Sequence, residues 1–392
     1  MAASPPPVCP LMKLTPEDCM AEALALARSA LLLTDPNPRV GCVVAASDGT
    51  VLGRGHTQRA GGPHAEVMAL RDAAAHGRSV AGATAYVTLE PCSHHGRTPP
   101  CCDAMVAAGI ARVVASLADP NPLVAGRGFE RLRAAGIAVE VGPGADASRE
   151  LNPGFMSRMT RGTPWVRMKV AASLDGRTAL PDGSSQWITG APARADGHAW
   201  RARASAVLTG VGTVRDDDPR LDVRMIETPR QPHLVIVDSD LATPPTARLF
   251  DVPERRVWIY TARRDEARAV ALEARGATVT CLGDARGKVD LPALLRDLAA
   301  REVNELHVEA GHKLNGSLLR EGLVDELLLY LAPKLLGDGL GLAHEPFAGG
   351  PLARLADATA LEFKAIDRVG DDLRILAHLA GHGGPEVMSP SH

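Results

Sequence analysis

From Pro16 to Leu33 apolar residues recur at helical spacing, Thr15 stands where an N-cap belongs, and DPNPR ends the run. The pattern then turns β-like. VGCVVAA, GTVLGRG, ATAYVTL, ARVVASL and IAVEVG read as strands, with helical spacing in HAEVMALRDAAAHG, PPCCDAMVAAGI and GRGFERLRAAG between them. Strands alternating with helices predict a layered α/β domain over residues 14–155. After NPGFMSRMTRGTPW the alternation restarts with VRMKVAAS and runs through AVLTGVG, HLVIVDS, RVWIYT, ATVTCL, ELHVEAG and DELLLYLAP, a second α/β domain over 160–382. No sequence repeat connects the halves, so the chain reads as a fusion of unlike modules with two chemistries. The Pro-rich residues 1–13 and the tail 383–392 are expected to be disordered, and either Met1 or Met12 suits as the natural start.

Composition narrows the function classes. A net charge of -3 with interspersed signs gives no basic field for a nucleic-acid backbone, and 3% aromatics leave few platforms for unpaired bases. Seven cysteines at irregular spacing do not form a secreted disulfide framework. The N-terminus lacks the apolar core of a signal peptide, and no run reaches the roughly 20 apolar residues that span a bilayer. The expectation is a soluble, cytoplasmic protein with neither nucleic-acid nor membrane partners.

The stretch PCSHHGRTPPCC, residues 91–102, raises the question of metal against disulfide or ordinary core cysteine. Upstream, PHAEV places His64 and Glu66 one residue apart at a helix start. With Cys92 and Cys101 they supply three metal ligands and one carboxylate, the inventory of a catalytic zinc site with an open fourth position and an unligated acid-base group, Glu66. Two cysteines alone, or a lone HAE, mean little; the conjunction carries the reading. Pro99 and Pro100 favour a first helical turn at Cys101, where the helix dipole helps a thiolate persist. Cys102 competes for the role, but adjacent helical positions point about 100° apart, so one of the two faces the metal and Cys101 is preferred. Cys9, Cys19, Cys42 and Cys281 read as ordinary cysteines. The H-x-E and P-C-x2-C pattern of zinc deaminases is here expanded to P-C-x8-C, which argues against a generic cytidine deaminase.

HAE, PCSHHGRTPPC, the upstream DPNPRVGCV and the downstream DPNPLVAGRG together resemble the bifunctional riboflavin-biosynthesis deaminase-reductase family, over nearly the whole chain. The resemblance implies a cytidine-deaminase-like three-layer α/β/α domain followed by a dihydrofolate-reductase-like α/β domain. It makes His64, Cys92 and Cys101 ligands of one Zn2+ per chain, and Glu66 the proton shuttle. It also places Asn37, His56, Arg97, Asp119 and Asn121 around the pyrimidine and its ribose phosphate. Asn or Asp beside Pro also forms turns without any ligand, which is the bland account of Asn37, Asp119 and Asn121. His56 stands one residue farther from His64 than the family pattern has it. His94 and His95 fall where the family varies and are left out.

The second half has neither a G-x-G-x-x-G after its first strand nor a Walker loop. VEAGHKLNGSLL sets a Gly-containing turn between strand and helix, where backbone N–H groups can hold a phosphate. The resemblance supplies the cofactor, NADPH, and assigns to it Ala171, Trp187, Thr213, Asp217, Ser239, Gly311, His312, Lys313, Leu314, Asn315, Gly316 and Ser317. To the substrate it assigns Ser185, Arg201, Leu221, Arg224 and Glu309. Arg201 and Arg224 suit a ribose phosphate, Lys169 and Asp175 would help polarise the sugar, and Lys313 could meet a cofactor phosphate. Trp187 has the alternative of merely filling core.

The implied reactions are hydrolytic removal of the 2-amino group from a diaminopyrimidine ribosyl phosphate, then hydride transfer from NADPH to C1′ of the ribosylamine. The partners are therefore small phosphorylated pyrimidines, and the family implies a homodimer or homotetramer with paired reductase domains. Two rivals are a nucleoside or tRNA-adenosine deaminase with an unrelated appended domain, and a module whose zinc is structural, with four protein ligands.

Overall fold

Thr15 opens the first helix as its chemistry predicts: its hydroxyl accepts from the Asp18 N–H at 3.1 Å, Pro16 occupies the first turn, and α1 (Pro16–Ser29) follows. Beyond Ser29 the expected helical run tightens into turns, Leu31 N–H donating to Arg28 O and Leu33 N–H to Ala30 O. The computed structural model describes residues 12–94, 99–121, 124–347 and 350–379, and the chain divides into two units, Met1–Asn152 and Pro153–His392. Residues 1–11 and the tail 383–392, expected to be disordered, lie outside the described residues. Met12 and Lys13, assigned to that extension, instead pair with the sheet: Val51 N–H donates to Met12 O and Lys13 bridges Thr50.

The first unit continues with β1 (Gly41–Ala45), β2 (Val51–His56), α2 (Ala65–Ala75), β3 (Thr84–Val87), α3 (Cys101–Ala107), β4 (Arg112–Ala115), α4 (Arg127–Ala134), β5 (Ala138–Val141) and α5 (Ala145–Leu151). Its sheet runs β2-β1-β3-β4-β5, with β1 antiparallel to β2 and β3, and β3, β4 and β5 parallel. Helices α1 and α5 cover one face and α2, α3 and α4 the other. Cys19, Met20 and Ala23 of α1 pack on Val43, Ala45, Tyr86 and Val114, with Met20, Val43 and Val114 each contributing about 1.5–3 kcal/mol. Gly55 sets α2 close to the sheet, because a Cβ there would lie 2.4 Å from Ala65 O and Ala69 N.

The second unit opens with α6 (Pro153–Arg161), in the stretch read from sequence as a connection, and β6 (Trp165–Ser173). There follow β7 (Arg177–Ala179), α7 (Ala191–Arg203), β8 (Ala206–Gly210), α8 (Val211–Asp217), β9 (His233–Val237), β10 (Val257–Thr261), α9 (Glu266–Glu273), β11 (Ala277–Cys281), α10 (Leu291–Ala300), β12 (Glu305–Val308) and α11 (His312–Arg320). The last elements are β13 (Glu326–Ala332), β14 (Leu340–Gly341), β15 (Leu361–Val369) and β16 (Asp372–Leu379). The main sheet has the order β11-β10-β9-β8-β12-β6-β13-β16-β15; the strands from β11 to β13 are parallel, and β16 and β15 close the edge antiparallel. The seven strands read from sequence are all present. The β15–β16 hairpin is an addition to that reading. Parallel strands covered on both faces show as apolar runs, which is why VRMKVAAS and HLVIVDS are legible.

Candidate active sites

The topology of the first sheet gathers chemistry at one edge. Because β1 runs antiparallel to β2 and β3, the turn before β1, the ends of β2, β3 and β4, and the first turns of α2 and α3 all meet there. Asn37, His56, His64, Glu66, Cys92, Cys101, Asp119 and Asn121 all come from these segments. Arg97 lies outside the described residues.

His64 is the N-cap of α2 and Cys101 the first residue of α3. The His64 Nδ1 lies 3.6 Å from Cys92 Sγ and 3.3 Å from Cys101 Sγ, and the three donor atoms all fall within 4.8 Å of one another. A tetrahedral zinc, with sulfur at about 2.3 Å and nitrogen at about 2.0–2.1 Å, holds such atoms about 3.5 Å apart. The donor set and spacing therefore fit zinc. Among the described residues this is the one group of three metal-ligating side chains found so close together. Cys102 points elsewhere, its thiol toward Pro91 O at 3.2 Å and Gly128 O, and burial pushes it up to about 12.

The protons at the site follow from the same geometry. A hydrogen bond from Cys101 brings Cys92 down to about 4, against burial, while donation to Cys92 together with burial raises Cys101 far above the thiol range. The Cys101 N–H also donates to Cys92 Sγ at 3.3 Å. Of the two sulfurs, Cys92 is therefore the one whose thiolate form the site favours. Glu66, 4% exposed, is pushed up to about 7 by burial and then by the charge on Cys92. A cation would draw it back down.

Sequence reasoning missed Glu90. It sits two residues before Cys92, is 6% exposed, and accepts backbone N–H groups from Asp119 and Gly126 at 2.9 Å and Gly128 at 2.7 Å. A Cβ on Gly128 would meet Pro91 O at 2.1 Å, so the loop can approach only with glycine there. One carboxylate therefore organises the loop that carries Asp119 and Asn121. Asp119 also uses the local turn chemistry, accepting from the Asn121 N–H at 2.8 Å, and burial pushes it up to about 6. His56 ends β2, with Nδ1 3.1 Å from Thr57 O, while Asn37 closes a turn on Thr34 O.

The second unit holds a cleft of about 1410 Å³. Ala171, Ser185, Trp187, Thr213, Asp217, Leu221 and Ser239 line it, as do Arg224 and Glu309 and, from α11 and its entry, Gly311, His312, Lys313, Leu314, Asn315 and Ser317. Trp187 is 62% exposed beneath the Arg194 guanidinium, so it does not fill core. The Oδ1 of Asn315 is buried with no protein partner, and the turn before α11 leaves backbone N–H groups free, which suits a nucleotide cofactor.

Two expectations change here. Asp175 does not line the cleft: it accepts from Ser173 Oγ and from the Leu336 and Gly337 N–H groups, and the Ser173 bond leads in lowering it to about 2. Gly316 also lies off the cleft, on the face of α11 that packs against His344 O, where a Cβ would clash. Arg201 lines the cleft but not as a free cation. Its guanidinium grips Glu309 through both Nε and Nη2 and donates to Asp222 O at 3.0 Å. Burial would raise Glu309, yet the Arg201 charge and hydrogen bonds hold it well below the usual carboxylate range. Lys169 Nζ stands 4.0 Å from Glu309 Oε2, lowered by burial. Arg224 is tied to the buried Asp222 at 2.6 Å, a partner that DDDPRLDVR contains but does not single out.

Residues 14–117 match the cytidine and deoxycytidylate deaminase zinc-binding region, and residues 164–375 match the RibD C-terminal domain. The riboflavin biosynthesis protein RibD of Escherichia coli is 47% identical over 92% of this chain and 98% of its own length. The chain belongs to the RibD family. The Aquifex aeolicus RibD is 41% identical over 91% of the chain and 96% of its own length. Among solved structures, an Acinetobacter baumannii RibD superposes with a TM-score of 0.82 at 40% identity, over 93% of this chain and 98% of that one. A Thermotoga maritima diaminohydroxyphosphoribosylaminopyrimidine deaminase/5-amino-6-(5-phosphoribosylamino)uracil reductase gives 0.80 at 33% identity with the same coverage. RibD membership makes the chain a bifunctional deaminase and reductase of riboflavin biosynthesis, with zinc serving the first domain and NADPH the second. The fold expectation, a cytidine-deaminase-like domain joined to a dihydrofolate-reductase-like one, is borne out.

Proposed function

We propose that the first unit hydrolyses the 2-amino group of 2,5-diamino-6-ribosylamino-4(3H)-pyrimidinone 5′-phosphate. The second then reduces 5-amino-6-(5-phosphoribosylamino)uracil to the ribitylamino product. The observation that carries this reading is the His64, Cys92 and Cys101 donor triangle with the buried Glu66 beside it. These three residues hold one zinc, which when bound acidifies water and so supplies the nucleophile near neutral pH. Glu66 takes up the proton released as water adds to C2 and passes it to the departing nitrogen, so ammonia leaves and a carbonyl remains. Asn37, His56, Asp119 and Asn121 grip the donors and acceptors on the edge of the heterocycle, and Arg97 meets the phosphate.

In the second unit the α11 entry, Gly311 to Asn315 together with Ser317, binds the cofactor phosphates, and Ala171, Trp187, Thr213, Asp217 and Ser239 orient the nucleotide. When bound, NADPH supplies the hydride that C1′ receives. Lys169 carries the proton for the ribose ring oxygen as the ring opens, and Glu309, locked by Arg201, fixes that ammonium in place. Ser185, Leu221 and Arg224 seat the substrate.

Two finer readings accompany this one. Phe363 and Ile366 of the edge strand β15, 61% and 57% exposed, support pairing of reductase units into a homodimer or larger homo-oligomer. Sedimentation velocity should give at least a dimer; a monomer at micromolar concentration contradicts the reading. The free thiols at Cys19, Cys42 and Cys281 suit a reducing compartment, the cytoplasm. Among the described residues no helix is long and apolar enough to cross a membrane.

The test is to supply zinc-loaded protein with the diaminopyrimidine phosphate and follow ammonia and NADPH together. Ammonia should appear without NADPH, and NADPH should be consumed only after deamination. Deamination of cytidine or tRNA with no NADPH oxidation would overturn the proposal.

A further inference from the structure

Leu221 holds a conformation that a leucine keeps only when its surroundings impose it. Its φ is 49°, in the left-handed region that favours glycine, and its side chain is 5% exposed, packed in the core with Ile236 and Leu249. Arg220, Leu221 and Arg224 line the cleft of the second unit. The chain between them is fastened from other elements. The Asp222 carbonyl accepts from Arg201 Nη1 at 3.0 Å, and Val223 exchanges two hydrogen bonds with the Gln231 amide, at 2.8 and 2.9 Å.

Residues 220 and 221 are fastened by Arg255, which precedes β10, does not line the cleft and belongs to no sequence motif. Its Nη1 donates to Leu221 O at 2.8 Å, and its Nη2 donates to Arg220 O at 2.7 Å and Leu249 O at 2.6 Å. Leu249 is fully buried, so the third bond ties the other two to the core. Among the described residues this guanidinium donates to main-chain oxygens alone, and its buried Nε has no partner. Burial brings it down to about 10, so it stays charged at neutral pH. The planar fork of an arginine reaches several carbonyls at fixed angles, which an ammonium cannot do.

We infer that Arg255 is a positioning residue of the reductase: by holding the Arg220 and Leu221 carbonyls it keeps Leu221 in its left-handed conformation and so sets where Leu221 and Arg224 meet the substrate. This rests on the reading that Leu221 and Arg224 seat the phosphorylated substrate. Without those bonds Leu221 should relax toward a negative φ, and a rotation there displaces the chain that leads to Arg224.

Full-length Arg255→Met keeps the apolar stem and removes the donors. With 5-amino-6-(5-phosphoribosylamino)uracil it should raise KM about tenfold or more and change kcat by less than about twofold. NADPH affinity and ammonia release by the first unit should be unaltered. Arg255→Lys should recover only part of the loss. Arg224→Ala should raise KM by itself, and adding Arg255→Met to it should raise KM little further, because both act through one contact; a residue that only supports the fold would add its effect in full. Unchanged KM in folded Arg255→Met, or in Arg255→Lys where Arg255→Met does not fold, overturns the inference and leaves the substrate reading standing. Full additivity with Arg224→Ala does the same. Unchanged KM in Arg224→Ala, or unaltered protein that binds NADPH without reducing the uracil, overturns the substrate reading and the inference with it.

Discussion

Adjacent residues with the same side chain have different fates here. Cys101 faces His64, 3.3 Å from its Nδ1, whereas Cys102 is turned toward Pro91 O and Gly128 O. Cys101→Ser should reduce bound zinc from one per chain to none, while Cys102→Ser should keep it, as read by elemental analysis of dialysed protein. Retention in Cys101→Ser would show another ligand set. Helical phase made that choice legible, because residues 100° apart cannot share one ion. Arg201 was legible as a cleft residue but not in its role, since Glu309 lies 108 positions away along the chain. Arg201→Ala leaves Glu309 buried with only Lys169 and His307 near, and should destabilise the reductase unit by about 3–5 kcal/mol in urea unfolding. Arg201→Lys should recover only part, having no planar fork for both carboxylate oxygens.

At the scale of elements, the connection between β4 and α4 depends on Glu90 more than on its own turn sequence. Three backbone donors, on Asp119, Gly126 and Gly128, converge on one carboxylate. Glu90→Gln keeps the shape but turns an acceptor atom into a donor that faces an N–H. The expected results are a stability loss of about 1–3 kcal/mol and a raised KM for deamination. Zinc content and NADPH oxidation should stay the same; an unchanged KM would remove Glu90 from the account. The element was hidden in the sequence because a Glu between a strand and Pro91 looks like ordinary surface. The β15–β16 hairpin was missed for a related reason. In LEFKAIDRV charged residues stand among exposed apolar ones, so neither face carries the burial signal of the inner strands. Helix α6 begins at Pro153, which also fits a linker, and its buried Met156 and Ser157 do not make an apolar run.

For the whole molecule, the two units should differ in acid tolerance. In the second, Arg167 is 1% exposed between Glu305 and Glu326, and the Trp165 indole donates to Glu326 at 3.1 Å. Burial opposes ionisation of Glu326, but the Arg167 charge outweighs it and brings the carboxyl from 4.5 to about 2. The sign follows: the folded pKa lies below the unfolded one, so this stabilisation is complete above about 4.5 and disappears as pH falls toward 2. Its size is on the order of 3 kcal/mol. Unfolding of the reductase unit, followed by tryptophan fluorescence, should steepen between those pH values, and Glu326→Gln should flatten the steepening. A stability that does not change across that window would contradict the assignment. None of this was visible in VRMKVAAS, where an arginine inside a buried strand has its partners 138 and 159 positions away.

The central claim is that one chain carries two separable sites, the first working through the Glu66 carboxylate. Zinc-loaded Glu66→Gln, assayed in parallel with the diaminopyrimidine phosphate and with its deaminated product, tests this directly. Ammonia release should fall by about 10²–10⁴-fold, while zinc content and NADPH-dependent reduction of the deaminated product stay at the unaltered level. Ammonia release near the original rate, or loss of both activities in a folded, zinc-replete protein, would contradict it.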